Sequence, residues 1–120
     1  MSLDYTNTTL LAVGTISTPT GGNNYDYIPV PAKSIITAVV VHVRTAGAQT
    51  ASKLRVRYQG AGDTVVDCAM GTSVAHTVVT ARPADADAVI AAGSVLEVAH
   101  ITTDASAVYD YRVFGTMVFE

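Results

Sequence analysis

Tryptophan is missing from this chain, cysteine occurs once, and charge is scarce. With Cys68 alone, no disulfide within the chain can staple the fold, and the redox compartment stays open. No apolar run approaches the roughly 20 residues a helix needs to cross a bilayer. The opening MSLDYTNTTLLAVG also lacks the basic segment and continuous apolar core of a secretory signal. The expectation is a soluble protein made in a cytoplasm, with no membrane partner. Charged residues make up 14% of the 120 positions, against about 25% in an ordinary soluble domain. The net charge of −3 repels phosphate backbones, so no nucleic-acid partner is expected without a local basic patch. Polar cover comes from Thr, Ser, Asn and Gly, and 49% of the chain is hydrophobic. That balance suits a surface of which part is covered.

What the chain does have is β signal. IITAVVVHV, residues 35 to 43, is rich in β-branched side chains and free of Gly, Pro, Asp and Asn, which favours a pleated backbone. Its odd positions, Ile35, Thr37, Val39, Val41 and Val43, are expected to face a core. The second face runs from Ile36, Ala38 and Val40 to His42 and Arg44. Lys53 to Gln59 alternates strictly, with Leu54, Val56 and Tyr58 on one face and Lys53, Arg55, Arg57 and Gln59 on the other. Further strands are expected at Thr8 to Ile16, Tyr27 to Val30 as an edge segment, Thr64 to Met70 and His76 to Ala81. Ser94 to Thr102 and Val108 to Phe119 are expected to form a closing hairpin across TDASA. In the last strand Tyr109, Tyr111, Val113, Gly115, Met117 and Phe119 share the core face. STPTGGNNYD, residues 17 to 26, reads as a surface loop. Asp85 is placed to cap one helical turn ending before Gly93.

Seven or eight short strands with frequent turns and no convincing helix predict an all-β fold. The expected form is an antiparallel β-sandwich of jelly-roll or immunoglobulin-like kind. It is a single domain over residues 8 to 120, preceded by a short polar N-terminal arm over residues 1 to 7. The expected core is Val39, Val41, Val43, Leu54, Val56, Tyr58, Leu96, Val98, Tyr111, Val113 and Met117.

Reactive chemistry is not legible. His42, His76 and His100 are far apart, with no two at a spacing that places two metal ligands on one face, and they read as isolated polar groups. Cys68 has no basic neighbour to activate it. No serine sits in a nucleophile-elbow context. Asp63, Asp67, Asp85 and Asp87 follow no calcium-loop spacing. No catalytic residue, cofactor or metal is expected. Contact residues are the better candidates. Tyr25 and Tyr27 flank Asp26 beside the long loop and suit a sugar or a protein partner. Arg55 and Arg57, with Lys53, form a basic stripe that either meets an acidic partner or is a solvated face. Leu3 and Tyr5 are the arm's possible anchors. Val108, Phe114 and Val118 stand at outward positions where a monomer would prefer charge, which predicts a homo-oligomer.

VPAKSIITAVVVHVRTAGA, the LRVRY strand, AAGSVLEV and the closing YDYRVFGTMVFE together resemble small jelly-roll proteins of tailed bacteriophage virions, over about residues 28 to 120. The resemblance implies a non-enzymatic structural protein, foremost a capsid decoration or cement protein bound to the outer surface of the head. Its partner would then be the major capsid protein, its location the virion surface after synthesis in the host cytoplasm, and its assembly a trimer. A glycan- or receptor-binding module of a tail fibre or spike is the alternative, resting on Tyr25 and Tyr27.

Overall fold

The structure is a computed structural model and describes residues 9–17, 25–101 and 106–118. The arm over residues 1 to 7, with Leu3 and Tyr5, most of the 17 to 26 loop, and Phe119 lie outside the described residues. Nine strands and one helical turn follow in order: β1 (Thr9–Ser17), β2 (Tyr25–Pro29), β3 (Ser34–Thr45), β4 (Lys53–Tyr58), β5 (Thr64–Ala69), β6 (Val78–Ala81), α1 (Asp85–Ala88), β7 (Val89–Ile90), β8 (Val95–His100) and β9 (Val108–Met117).

They form two antiparallel sheets. The first, sheet A, has the order β1-β9-β3-β6, with the two-residue β7 also on β3, and the second, sheet B, has the order β2-β8-β4-β5. β6 and β7 lie on the same side of β3, opposite β9. Counted as one column, they leave eight columns in the strand order of a jelly roll, built from two Greek keys. The expected antiparallel sandwich is thus the fold. The closing hairpin is not: β8 pairs with β2 and β4 in sheet B, while β9 pairs with β1 and β3 in sheet A. Adjacency in sequence suggested direct pairing. Burial instead sends the two strands to facing sheets, where Leu96 and Val98 meet Tyr111 and Val113 in one core.

β9 is the spine of sheet A. Both of its neighbours carry an extra residue near Phe114: Leu11, between Leu10 and Ala12 in β1, falls opposite the Phe114–Val113 step, and Thr37, between Ile36 and Ala38 in β3, opposite the Gly115–Phe114 step. A bulge shifts the two-residue alternation by one. Ser34 and Ile36 therefore point inward before the bulge, and Val39, Val41 and Val43 after it. Ile35 is exposed and Thr37 only half-buried, contrary to the unbroken alternation expected for this strand. Ile36 correspondingly leaves the second face for the core. Gly115 borders the β3 bulge. A Cβ there would come within 2.5 Å of the Ile35 carbonyl oxygen and 2.6 Å of Leu11 Cδ1, so glycine is what lets the three strands close.

The remaining expected core positions are buried, except Tyr58 and Met117, which are half-buried at its margin. Ile16, Ile28, Val30, Cys68, Ile90 and Tyr109 are among the further residues buried with them. Cys68 Sγ lies 3.6 Å from the Val39 carbonyl, and burial, with Asp67 alongside, pushes its thiol pKa up to about 11, so it packs as an inert side chain. The helical turn forms at Asp85, but the cap position is Ala84 and carries no side-chain bond. Asp85 lies within the first turn instead.

Two substitutions test this arrangement. Val41→Asp places an unpaired carboxylate in a fully buried position and is expected to cost about 4 kcal/mol or more. Gly115→Ala forces backbone apart at the paired bulges and is expected to cost about 1–3 kcal/mol. Chemical denaturation of each variant reads the loss directly. An unchanged midpoint for Val41→Asp would remove β3 from the centre of the fold.

Candidate functional site: two sheet faces

The outer faces of the two sheets differ in chemistry. On sheet B the strand register sets Tyr25, Ala99, Arg55 and Asp67 in one row and Tyr27, Glu97 and Arg57 in the next. Arg55 donates to Asp67 through two nitrogens, at 2.8 and 3.1 Å, and Lys53 Nζ stands 3.6 Å from the same carboxylate. Arg57 Nε donates to Glu97 Oε1 at 2.7 Å, and the Ala61 N–H reaches the same oxygen at 3.2 Å. Glu97, 3% exposed, lies beneath this layer. The hydrogen bond from Arg55, reinforced by the charges of Arg55 and Lys53, holds Asp67 below the usual carboxylate range despite its partial burial. The basic stripe of the sequence is therefore a set of cross-strand ion pairs. Tyr25 and Tyr27 stand on the same face at its β2 margin, ring centroids 5.9 Å apart and nearly edge-to-face. Tyr27 is 54% exposed.

On sheet A the rows read Leu10, Phe114 and Ala38; Val13, Arg112, Val40 and Thr80; then Thr15, Asp110, His42 and Val78. Val13 at 61%, Val78 at 59% and Leu10 at 46% are its most exposed apolar side chains. Phe114 is half-buried between Leu10 and Ala38, and Val108 sits half-buried beside Ser17 and Thr45. Val118, also half-buried, follows β9, its N–H donating to the Lys33 carbonyl. Of the contact residues named from sequence, the fold thus gathers Tyr25, Tyr27, Arg55 and Arg57 on one face and Val108 and Phe114 on the opposite one.

The centre of the sheet A face is a polar cluster that sequence reading missed. Asp110 accepts from Thr15 Oγ1 at 2.7 Å, from Arg44 Nη2 at 2.8 Å and Nε at 3.2 Å, and from His42 Nδ1 at 3.1 Å. His42 Nε2 lies 3.2 Å from His76 Nδ1, with the two rings nearly parallel. An ionised carboxylate only accepts, so His42 carries its proton on Nδ1, and in the neutral ring Nε2 accepts from the His76 N–H. His76 holds φ at +70°, a left-handed conformation that a non-glycine residue adopts at a cost. Its backbone N–H donates to the Val43 carbonyl at 2.6 Å. The histidines expected to be isolated are thus a linked pair, joined because β9 lies beside β3 and the chain returns to β3 before β6. Burial raises the Asp110 pKa, but the bonds from Thr15, His42 and Arg44 outweigh it and hold the carboxyl below its ordinary range. A shallow groove of about 650 Å³ runs along this cluster, between Val13, Val40, Arg44, Val78 and Arg112.

Among the described residues a buried polar knot and an apolar cavity also stand out. Ser52 Oγ lies 2.6 Å from His100 Nε2 and 2.8 Å from Tyr109 Oη, but all three residues are buried, so the knot satisfies interior polar atoms. An apolar cavity of about 240 Å³ lies between the sheets, lined by Leu11, Ile28, Val30, Leu96 and Met117. Its one hydroxyl, Ser34, donates to the Ala32 carbonyl. Among the described residues no group of three or more His, Cys, Asp or Glu side chains is placed to hold a metal ion, and no helix is long and apolar enough to cross a membrane.

The acid limb of stability tests both carboxylates. Asp67 and Asp110 have folded-state pKa values below their unfolded ones. Their contribution is therefore fully present above the unfolded value of about 3.9 and is lost as pH falls through the lower folded values. Asp110→Asn is expected to lower the urea midpoint at pH 7 and to flatten its decline below about pH 4. An acid limb as steep as that of the parent chain would show that Asp110 is not held by these partners.

Comparison with known protein families, curated proteins and solved structures returns no match to this chain.

Proposed function

We propose that the chain is a non-enzymatic structural protein of a tailed bacteriophage virion, a decoration or cement protein that binds the outer surface of the head through the major capsid protein. The observation that carries this reading is the outer face of sheet A. It is a broad strand surface on which Leu10, Val13, Val78 and Phe114 surround a single internally paired polar cluster. A face of that kind suits burial against protein, since its apolar groups gain from desolvation and Asp110, Arg44 and His42 already have partners, which leaves exposed Arg112 for an acidic group of the partner. The jelly-roll strand order and the likeness of residues 28 to 120 to small virion proteins support the same reading. Self-association belongs to it, with three copies the number implied by that likeness.

A second reading has its own observation. Tyr25 and Tyr27 form an exposed edge-to-face pair at the β2 edge of the other sheet, and such pairs stack on sugars as well as on proteins. In this reading the chain is a glycan- or receptor-binding module of a tail fibre or spike.

Purified capsids lacking the protein are the discriminating reagent. The decoration reading expects saturable binding, weakened by Phe114→Asp on sheet A and unchanged by Tyr27→Ala. Binding to a glycan array, abolished by Tyr27→Ala, with none to capsids, would replace it with the second reading. Light scattering is expected to give a mass near three times 12.5 kDa, and a monomer mass at micromolar concentration would overturn self-association.

A further inference from the structure

Two imidazoles meet on the outer face of sheet A, and each is held from behind. His42 is half-buried on β3, and His76 is exposed in the turn that leads into β6. The 34 residues between them hide the pair in the sequence. The His76 backbone N–H donates to the Val43 carbonyl, and the Val43 N–H donates to the Thr77 carbonyl at 2.9 Å. These reciprocal bonds clamp the turn to β3 and keep His76 at φ +70°, a conformation that persists in a non-glycine residue only where its surroundings enforce it. Asp110 accepts from His42 Nδ1 at 3.1 Å, and Thr15 and Arg44 fix that carboxylate in turn. A carboxylate on one ring nitrogen is the usual means of orienting a metal-ligating histidine, because it sets the tautomer and frees the lone pair of the other nitrogen. Here that other nitrogen is His42 Nε2, 3.2 Å from His76 Nδ1.

We propose that His42 Nε2 and His76 Nδ1 chelate one divalent transition cation of the kind that prefers imidazole, Cu²⁺ foremost, then Ni²⁺ or Zn²⁺. The hydrogen bond between the rings, which are inclined at 28°, shows that both nitrogens face one gap. Metal–imidazole bonds are about 2.0–2.1 Å long, so nitrogens 3.2 Å apart subtend about 100–106° at a shared ion. That angle lies between the cis angle of a tetragonal site, about 90°, and the tetrahedral angle, about 109°. Without metal the gap is bridged by the His76 proton. Binding moves this proton from Nδ1 to Nε2 of the same ring, so both histidines ligate as neutral imidazoles and no net proton is released. Two protein ligands leave the remaining positions to water, which makes the site exchangeable rather than structural. Arg44 shares the Asp110 carboxylate and offsets its attraction for a cation. Affinity therefore comes from the imidazole lone pairs, which is why Cu²⁺, the strongest of these ions at nitrogen donors, is favoured. Mg²⁺, which takes oxygen ligands, is not expected to bind.

This inference concerns the free chain and does not rest on capsid binding. Calorimetric titration of the purified full chain, free of any histidine tag, with Cu²⁺ alone tests it. One Cu²⁺ per chain is expected, and no binding of Mg²⁺. His42→Gln and His76→Asn each remove one imidazole, and asparagine tolerates the left-handed backbone that His76 holds. Each substitution is expected to weaken Cu²⁺ binding about tenfold or more, because the second ligand of a chelate acts at a high effective concentration. Pulsed electron paramagnetic resonance of the Cu²⁺-loaded protein is expected to show two imidazoles on the ion, and one in either variant. That count separates the loss of a ligand from the loss of the fold. Undetectable binding, a smaller loss in either variant, or a single imidazole on the ion in the parent chain would overturn the proposal and leave capsid binding untouched.

Discussion

The pairing of β9 with both β1 and β3 is the constraint on which the rest of the sandwich depends. At Gly115 the Ile35 carbonyl of β3 and the Leu11 side chain of β1 stand closer than a Cβ permits, and each flanking strand adds one residue close by. Those two bulges decide which residues of β1 and β3 face the core. They turn Ile36 inward and Ile35 outward and leave Val39, Val41 and Val43 in the buried layer. They also set the outer rows, because the same register that buries the valines aligns Thr15, Asp110 and His42. Core and outer surface are two consequences of one strand alignment.

Charge is rare in this chain, and where it occurs it is largely used internally. Asp67, Glu97 and Asp110 each sit opposite an arginine of an adjoining strand. Partly exposed pairs of this kind contribute little net stability. Their effect is on surface character, since each face becomes nearly neutral and holds its long side chains in place. The interior follows the same rule with hydroxyls: Ser52 joins His100 and Tyr109, and Tyr111 reaches Asp26 across from the facing sheet. Burial and the Asp26 carboxylate both push the Tyr111 phenol pKa upward, so it remains a neutral donor.

The two faces divide the functional possibilities. Sheet B carries its charges in fixed pairs and offers an aromatic margin at Tyr25 and Tyr27. Sheet A offers apolar side chains around one polar cluster, with an uncharged edge along β1. Protein burial suits the second, because its apolar side chains gain from desolvation and Asp110 is already paired within the face. The His42 and His76 pair places titratable groups within that surface.

Alternation in Lys53 to Tyr58 and in Val108 to Met117 was legible in the sequence, because a half-buried strand repeats every two residues and nothing interrupts it there. The same reasoning recovered most of the core, the edge position of β2 and the all-β class. It failed at Ile35, since a bulge is imposed by a neighbouring strand and leaves no mark in local composition. It failed for the closing hairpin because adjacency in sequence does not say which sheet a strand joins. His42, His76 and Asp110 could not be connected from sequence, for their contact depends on a register between strands far apart in the chain. Arg55 and Arg57 looked free for a partner until β5 and β8 placed Asp67 and Glu97 beside them. The sequence by itself determined strand identity and inward facing wherever the pattern was local. Tertiary pairing alone decided which polar groups meet and which sheet each strand joins, because both follow from long-range alignment of backbones.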